Sequence, residues 1–362
     1  MKELNILLYT HEEDLDGKSC HIITEQFCRF ENLTTVWCTT KNMNKMVEST
    51  IKNNVLMLEP DIVIISDLSL SKSTISYANS IIKELSPKTK FYFVDHHKTS
   101  AFMSNAKCAR LNLDAKNPKS ATYLIYHLLK DEIYPHKRIP KWSMKRMEHY
   151  VNLVSDYDTY YWKKNMNWDA KRLAILFDIL HYKGTSGIVK DCDEFHQYVD
   201  CHLTSFVSRN IFTKYANYII NIREKEQNSY IARKMKESVK LDFGKLMDLS
   251  FGVDIFQYKC GVVFSERSEF FSELGNQICD TYKDKIDFCI IVNPVSKYAS
   301  MRSLETGADV SEIAHHFGGG GHKCASGFTL LTDNSKLLFK QLMSLEDLDL
   351  TVEHLYEKIE ID

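Results

Sequence analysis

Short apolar runs alternate with stretches of helical spacing through the first half of the chain. The segment LNILLYT, residues 4–10, reads as a buried strand. After it, KSCHIITEQFCRF places Cys20, Ile23, Phe27 and Phe30 at helical intervals. TTVWCT predicts a second strand, and PDIVIISDL a third that is apolar enough to be buried on both faces. A helical pattern through STISYANSIIKEL leads to a fourth strand, KFYFVDHH. Strands alternating with helices indicate βαβ units and a parallel sheet. Two more helices follow, in SATYLIYHLL and SMKRMEHYVNLVSDYDTYYW.

From about residue 168 to 236 the pattern is helical and polar-rich. A mixed pattern then restarts: KCGVVFS, IDFCIIVN and YASMRSL predict strands, SEFFSELGNQICDTY and VSEIAHHF helices. The predicted fold is therefore two-lobed α/β. It comprises a parallel-sheet domain over 1–165, a helical connector over 166–238, a smaller mixed α/β domain over 239–345 and a helical tail over 346–362. No Gly/Pro-rich linker marks the boundary, which is expected near 235–245.

Length and composition narrow the classes. A chain of 362 residues exceeds one ordinary core. An aromatic share of 12% argues against disorder, and a net charge of −2 supplies no global basic field for long duplex nucleic acid. Ten cysteines without a CxxC pair read as reduced, structural residues of a cytoplasmic protein. No signal peptide and no apolar run of the ~20 residues needed to span a membrane is expected.

The chemistry collects at the strand ends. THEEDLDGKSC crowds His11, Glu12, Asp14 and Asp16 after the first strand; Asp67 follows the third, and Asp95, His96 and His97 the fourth. Ligands of open α/β sheets bind outside the carboxyl ends of strands, so these groups converge on one edge. With Asp156 of the later helix, the set His11, Asp14, Asp16, Asp67, His96 and Asp156 exceeds what one ion needs. Mixed carboxylate and imidazole donors suit Mn²⁺, Fe²⁺ or Zn²⁺ better than Ca²⁺ or Mg²⁺. Two ions roughly 3.5–4 Å apart would use the whole set, as in phosphate-ester hydrolysis. Near the other end, GGGGHKCASG offers backbone amides to an anion, with Arg302 and His322 beside it.

These segments resemble the motifs of one family. VDHHKTS (94–100) resembles the name-giving motif of the DHH phosphoesterases, THEEDLDGKSC the first, IISDLS (64–69) the second and LVSDYD (153–158) the fourth. SMRS (300–303), VSEIAHHF and GGGGHKCASGF (318–328) resemble the associated DHHA1 substrate-binding domain, in the expected order. The phrasing is most similar to the nano-RNase, or oligoribonuclease, B-type members.

The resemblance implies roles. His11, Asp14 and Asp67 would hold one Mn²⁺, and Asp16, Asp67, His96 and Asp156 a second, Asp67 bridging. Asp158 and Glu12 are the alternative ligands. Asp95 would orient a neighbouring ligand, and His97 would sit near the phosphate. Arg302, Ser303, Gly318, Gly319, Gly320, Gly321 and His322 would bind the far end of the substrate. The implied activity is Mn²⁺-dependent hydrolysis of short oligoribonucleotides or dinucleotides to 5′-mononucleotides. A 3′-phosphoadenosine 5′-phosphate phosphatase, a cyclic-dinucleotide phosphodiesterase and a non-catalytic nucleotide sensor are the alternatives.

Overall fold

The computed structural model describes residues 4–28, 30–40, 42–181, 194–204, 210–237, 240–242 and 258–330. The expected tail over 346–362 lies outside the described residues. By its internal contacts the chain divides into two units, Met1–Ile222 and Arg223–Asp362.

In the N-terminal unit the chain alternates β1 (Ile6–His11), α1 (Leu15–Phe27), β2 (Leu33–Cys38), α2 (Met43–Leu58), β3 (Ile62–Ser66), α3 (Lys72–Leu85), β4 (Lys90–Asp95) and β5 (Ala109–Leu111). The strands form one sheet in the order β2–β1–β3–β4–β5, every pair parallel. Helices α4 (Ala121–His127), α5 (Lys141–Asp158), α6 (Tyr161–Lys164), α7 (Trp168–His181) and α8 (Glu194–Thr204) follow, and α9 (Lys214–Glu237) runs across the division between the units.

Strand periodicity sends alternate side chains to opposite faces. Ile6, Leu8, Ile62, Ile64 and Val94 join a core with residues of α1, α4 and α5. Leu7, Tyr9, Val63, Ile65 and Phe93 join the core beneath α2 and α3. Both faces are thus covered, which explains why β1 and β3 read as continuous apolar runs. Helix α5 packs through Met147, Tyr150, Val151 and Val154, and the Tyr150 hydroxyl lies 2.6 Å from Ser19 Oγ of α1.

Two features of this unit depart from the sequence expectation. Helix α2 and strand β5 were not marked by the apolar pattern. The helix expected to continue through DTYYW instead stops at Asp158: Tyr160 adopts the left-handed conformation (φ 66°), and a short helix restarts at Tyr161.

The C-terminal unit contains β6 (Lys240–Asp242), β7 (Cys260–Phe264), α10 (Phe271–Thr281), β8 (Phe288–Asn293), β9 (Tyr298–Arg302), α11 (Val310–His316), β10 (Gly320–His322) and β11 (Ala325–Thr329). Its sheet runs β10–β11–β9–β8–β7–β6, mixed, with only the β7–β8 pair parallel. One face packs Val262, Ile290, Met301 and Phe328 against Val310, Ile313 and Phe317. The other packs Val263, Cys289 and Ile291 against Phe271, Leu274 and Ile278 of α10. This is the expected α/β class, a parallel-sheet unit and a smaller mixed one. Among the described residues no helix is long and apolar enough to cross a membrane.

Candidate active site

The carboxyl ends of β1, β3 and β4 lie side by side in the sheet, and the first turn of α1 presses onto them. Thr10 Oγ1 donates to the Gly17 carbonyl at 2.9 Å. A Cβ on Gly17 would come within 2.4 Å of the His11 carbonyl oxygen, so only glycine permits this approach. Asp14 caps α1, accepting from the Gly17 amide at 2.8 Å. Its Oδ2 lies 3.1 Å from Nδ1 of His11, whose Nε2 is 3.0 Å from Thr40 Oγ1. Burial opposes protonation of His11, but the Asp14 charge and hydrogen bond prevail and raise its pKa.

Asp16 is buried in the first turn of α1 and is held by a second helix. Its carboxylate accepts from the Ala121 and Thr122 amides at 2.8 and 3.0 Å, at the N-terminus of α4. Helix-end N–H groups without intrahelical partners favour such an anion.

Asp67 follows β3 in the left-handed conformation (φ 54°), its amide donating to the Val94 carbonyl at 3.0 Å. Backbone strain of this kind persists where surrounding structure enforces it. The side chain is buried, and Oδ2 has no hydrogen-bond partner. Burial, then the charges of Asp14, Asp16, Asp158 and Asp95, push its pKa far above the carboxylate range.

The β4 end supplies Asp95, His96 and His97. Asp95 is fully buried and accepts from the His96 amide at 2.8 Å and from His97 Nδ1 at 2.7 Å, while Ser100 Oγ donates to its other oxygen. Burial opposes its ionisation, yet the His97 charge and these hydrogen bonds hold its pKa at about 2. His97 is correspondingly raised to about 9, the Asp95 charge outweighing burial. His96 differs: burial and the His97 charge lower its pKa against the pull of the nearby carboxylates. Its Nε2 lies 3.2 Å from Asp158 Oδ2, 3.5 Å from Asp67 Oδ1 and 3.7 Å from Asp16 Oδ2.

The fourth-motif carboxylate that meets this cluster is Asp158. Asp156 faces elsewhere, accepting from Asn167 Nδ2 at 2.7 Å and Asn165 Nδ2 at 3.4 Å. Residues two apart on a helix diverge by ~200°, so only one of the pair can point at His96. Glu12, the other alternative, is half-buried, and its amide donates to the Cys38 carbonyl at 3.0 Å.

A divalent cation fits this donor set. Asp67 Oδ2 and Asp158 Oδ2 are buried oxygens without hydrogen-bond partners, close to other carboxylates. Burial, Asp16 and Asp14 raise the Asp158 pKa strongly, with His97 opposing. Two overlapping groups, Asp16–His96–Asp158 and Asp67–Asp95–His96–His97, each bring donor atoms within 4.8 Å of one another. Collected negative charge of this kind is stabilised by a cation among it.

In the C-terminal unit the glycine run is not a loop cradle. The Gly318 and Gly319 amides close the end of α11, donating to the His315 and Ala314 carbonyls at 3.0 and 2.8 Å. Gly320, Gly321 and His322 form β10, paired with β11. Gly319 is required by packing, since a Cβ there would lie 2.1 Å from the Gly327 carbonyl oxygen. Ser303 is buried, its hydroxyl donating to the Ala308 carbonyl at 2.8 Å. Arg302 Nη1 donates to Ser300 Oγ and the Met301 carbonyl, both at 2.8 Å, and its Nε is buried without a hydrogen-bond partner. The supporting groups Gly17, Thr40, Ser100 and the α4 N-terminus carry no pattern in the sequence beyond Ser120, the α4 cap.

The chain is 26% identical over 339 residues to the oligoribonuclease NrnB of Bacillus subtilis, covering 92% of this chain and 74% of the relative. That relative is a DHH/DHHA1 phosphoesterase, the family whose motifs the chain resembles. No protein-family model matches the chain. Among solved structures, an uncharacterized Helicobacter pylori protein is similar at 19% identity and a TM-score of 0.45, covering 94% of this chain and 99% of that one. A pGpG-specific phosphodiesterase from Vibrio cholerae is similar at 12% identity and a TM-score of 0.47, covering 95% and 99%.

Proposed function

We propose that this phosphoesterase hydrolyses short oligoribonucleotides to 5′-mononucleotides, using two divalent cations, Mn²⁺ foremost. The observation that carries the hydrolytic reading is Asp67, a buried carboxylate with an unsatisfied oxygen among four further carboxylates and His96. The oligoribonuclease name of the curated relative supports the substrate class.

His11, Asp14 and Asp67 are the proposed ligands of one cation; Asp16, Asp67, His96 and Asp158 those of the other. Bound there, the cations would supply a water nucleophile at neutral pH and offset the charge that builds on the phosphoryl oxygens. The chain's own work is orientation. The α4 amides fix Asp16, Thr40 fixes the His11 ring, and Ser100 and two backbone amides fix Asp95. Asp95 in turn holds His97 protonated, with a pKa of about 9, and the imidazolium would favour a phosphoryl oxygen. A mixed imidazole and carboxylate set favours Mn²⁺ over Mg²⁺.

In the C-terminal unit Arg302 and His322 are the proposed substrate contacts, because the Gly318 and Gly319 amides and the Ser303 hydroxyl serve the fold. Phosphate contacts carry affinity without reading sequence, so base preference should be weak. The protein is taken to act in the cytoplasm, on substrates other than long duplexes.

The test is a competition. Purified protein with Mn²⁺ receives end-labelled di- to tetranucleotide RNAs, 3′-phosphoadenosine 5′-phosphate and a cyclic dinucleotide. Mononucleotides appearing first from the short RNAs support the proposal. Turnover of the bisphosphate alone, or of the cyclic dinucleotide alone, replaces it with that activity.

A further inference from the structure

Helices α1 and α8 bring together a second group of metal-ligating side chains that shares no residue with the active site. His21 and Glu25 stand one turn apart on α1, so they project from the same face. His196 comes from α8. Its Nε2 lies 2.6 Å from Glu25 Oε2, and its ring meets that of His21 edge-on with centroids 5.0 Å apart. One donor atom from each of the three lies within 4.8 Å of the others.

We propose that His21, Glu25 and His196 bind a borderline transition-metal ion such as Zn²⁺, clipping α8 onto α1. Two imidazoles and one carboxylate form a zinc-type donor set that leaves a fourth, tetrahedral position for water. Calcium and magnesium, which take oxygen shells, do not suit it. A Glu25–His196 ion pair explains two of the three groups. It does not explain why a buried histidine is set against both.

The surroundings match a metal site. His21 Nδ1 lies 2.9 Å from Thr35 Oγ1, the outer hydrogen bond that fixes the ring of a ligating histidine. Glu25 and His196 retain 16% and 21% exposure of their side chains, enough for an ion to enter from solvent. The same two helices are joined nearby by Gln26 Nε2 donating to Asp200 Oδ1 at 2.9 Å. A clip here would secure α8 to the helix whose first turn carries Asp16.

The full-length protein, stripped with a chelator and dialysed against Zn²⁺, tests this by metal counting, both in the wild type and in an Asp67→Ala background. The site predicts one fewer zinc per chain on His196→Gln, and likewise on Glu25→Gln, in either background. Zinc should raise the melting temperature of the Asp67→Ala protein and leave that of Asp67→Ala/His196→Gln unmoved. Mn²⁺-dependent activity of His196→Gln should stay at the wild-type level. An unchanged zinc count in both substitutions, or zinc lost only with Asp67, overturns the proposal. Because the two substitutions lie on different helices, misfolding of one leaves the other decisive.

Discussion

Nε2 of His96 and Oδ2 of Asp158 stand 3.2 Å apart, yet that buried oxygen has no hydrogen-bond partner. Two ligand atoms this close, the oxygen buried and without a hydrogen bond, suit one cation held by both. The arrangement ties the fourth motif to Asp158. Asp158→Asn should lower Mn²⁺-dependent hydrolysis by roughly a hundred- to a thousandfold, the scale on which losing a group that stabilises developing charge acts. Asp156→Asn, which loses only an acceptor for Asn165 and Asn167, should keep most activity. Rates of the two purified variants decide the assignment, and the reverse ranking would restore Asp156.

Asp67 predicts an unusual stability pattern. Without metal its buried charge is opposed by burial and by four other carboxylates. Asp67→Asn should therefore melt at or above the wild-type temperature in chelator. Added Mn²⁺ should raise the wild type and move the variant far less, since binding to the native state stabilises by mass action. Thermal melts with and without Mn²⁺ check this; a variant that melts lower in chelator contradicts the repulsion.

Ser100 supports Asp95, which supports His97. Ser100→Ala removes a buried donor to a buried carboxylate and should cost about 1–3 kcal/mol of stability. Activity should fall about tenfold or more, as for loss of outer-sphere partners. The pH profile should change with it, because His97 is held at about 9 chiefly by Asp95 against burial. An unaltered profile would show that Ser100 matters to packing alone.

What was legible in the sequence follows from how locally each signal is encoded. His11, Asp67 and Asp95 end apolar strand runs, so their convergence could be read from the parallel-sheet pattern itself. Helix α2 escaped because its buried residues are only Val47, Ile51 and Val55, a thin stripe among Asn, Lys, Ser and Thr. Asp156 and Asp158 are equally acidic neighbours, and only the rotation of α5 selects one. The glycine run looked like a phosphate loop, whereas its pairing with β11 depends on a hairpin register that composition does not encode. Thr40 and Ser100 act through long-range or turn geometry, with no pattern to announce them.

His202 supplies a stability prediction outside the active site. Both of its ring nitrogens are buried without hydrogen-bond partners, and burial, aided by Arg146 and His149, lowers its pKa from 6.5 to about 4. The folded value lies below the unfolded one, so the unfolded chain binds more protons between them. Stability from this group is fully present above the unfolded pKa and is lost as pH falls from 6.5 towards 4. Chemical denaturation across that window should show the loss, and His202→Phe should flatten it. A slope unchanged by the substitution would assign the acid sensitivity to other groups.

The most direct test of the central claim compares initial rates on an RNA dinucleotide and on a long single strand. Each is measured with Mn²⁺, with chelator, and with Asp158→Asn. The dinucleotide should turn over faster and give 5′-mononucleotides, and activity should be lost both in chelator and in the variant. Preference for the long strand would contradict the short-substrate assignment, and hydrolysis that persists in chelator would contradict the metal site itself.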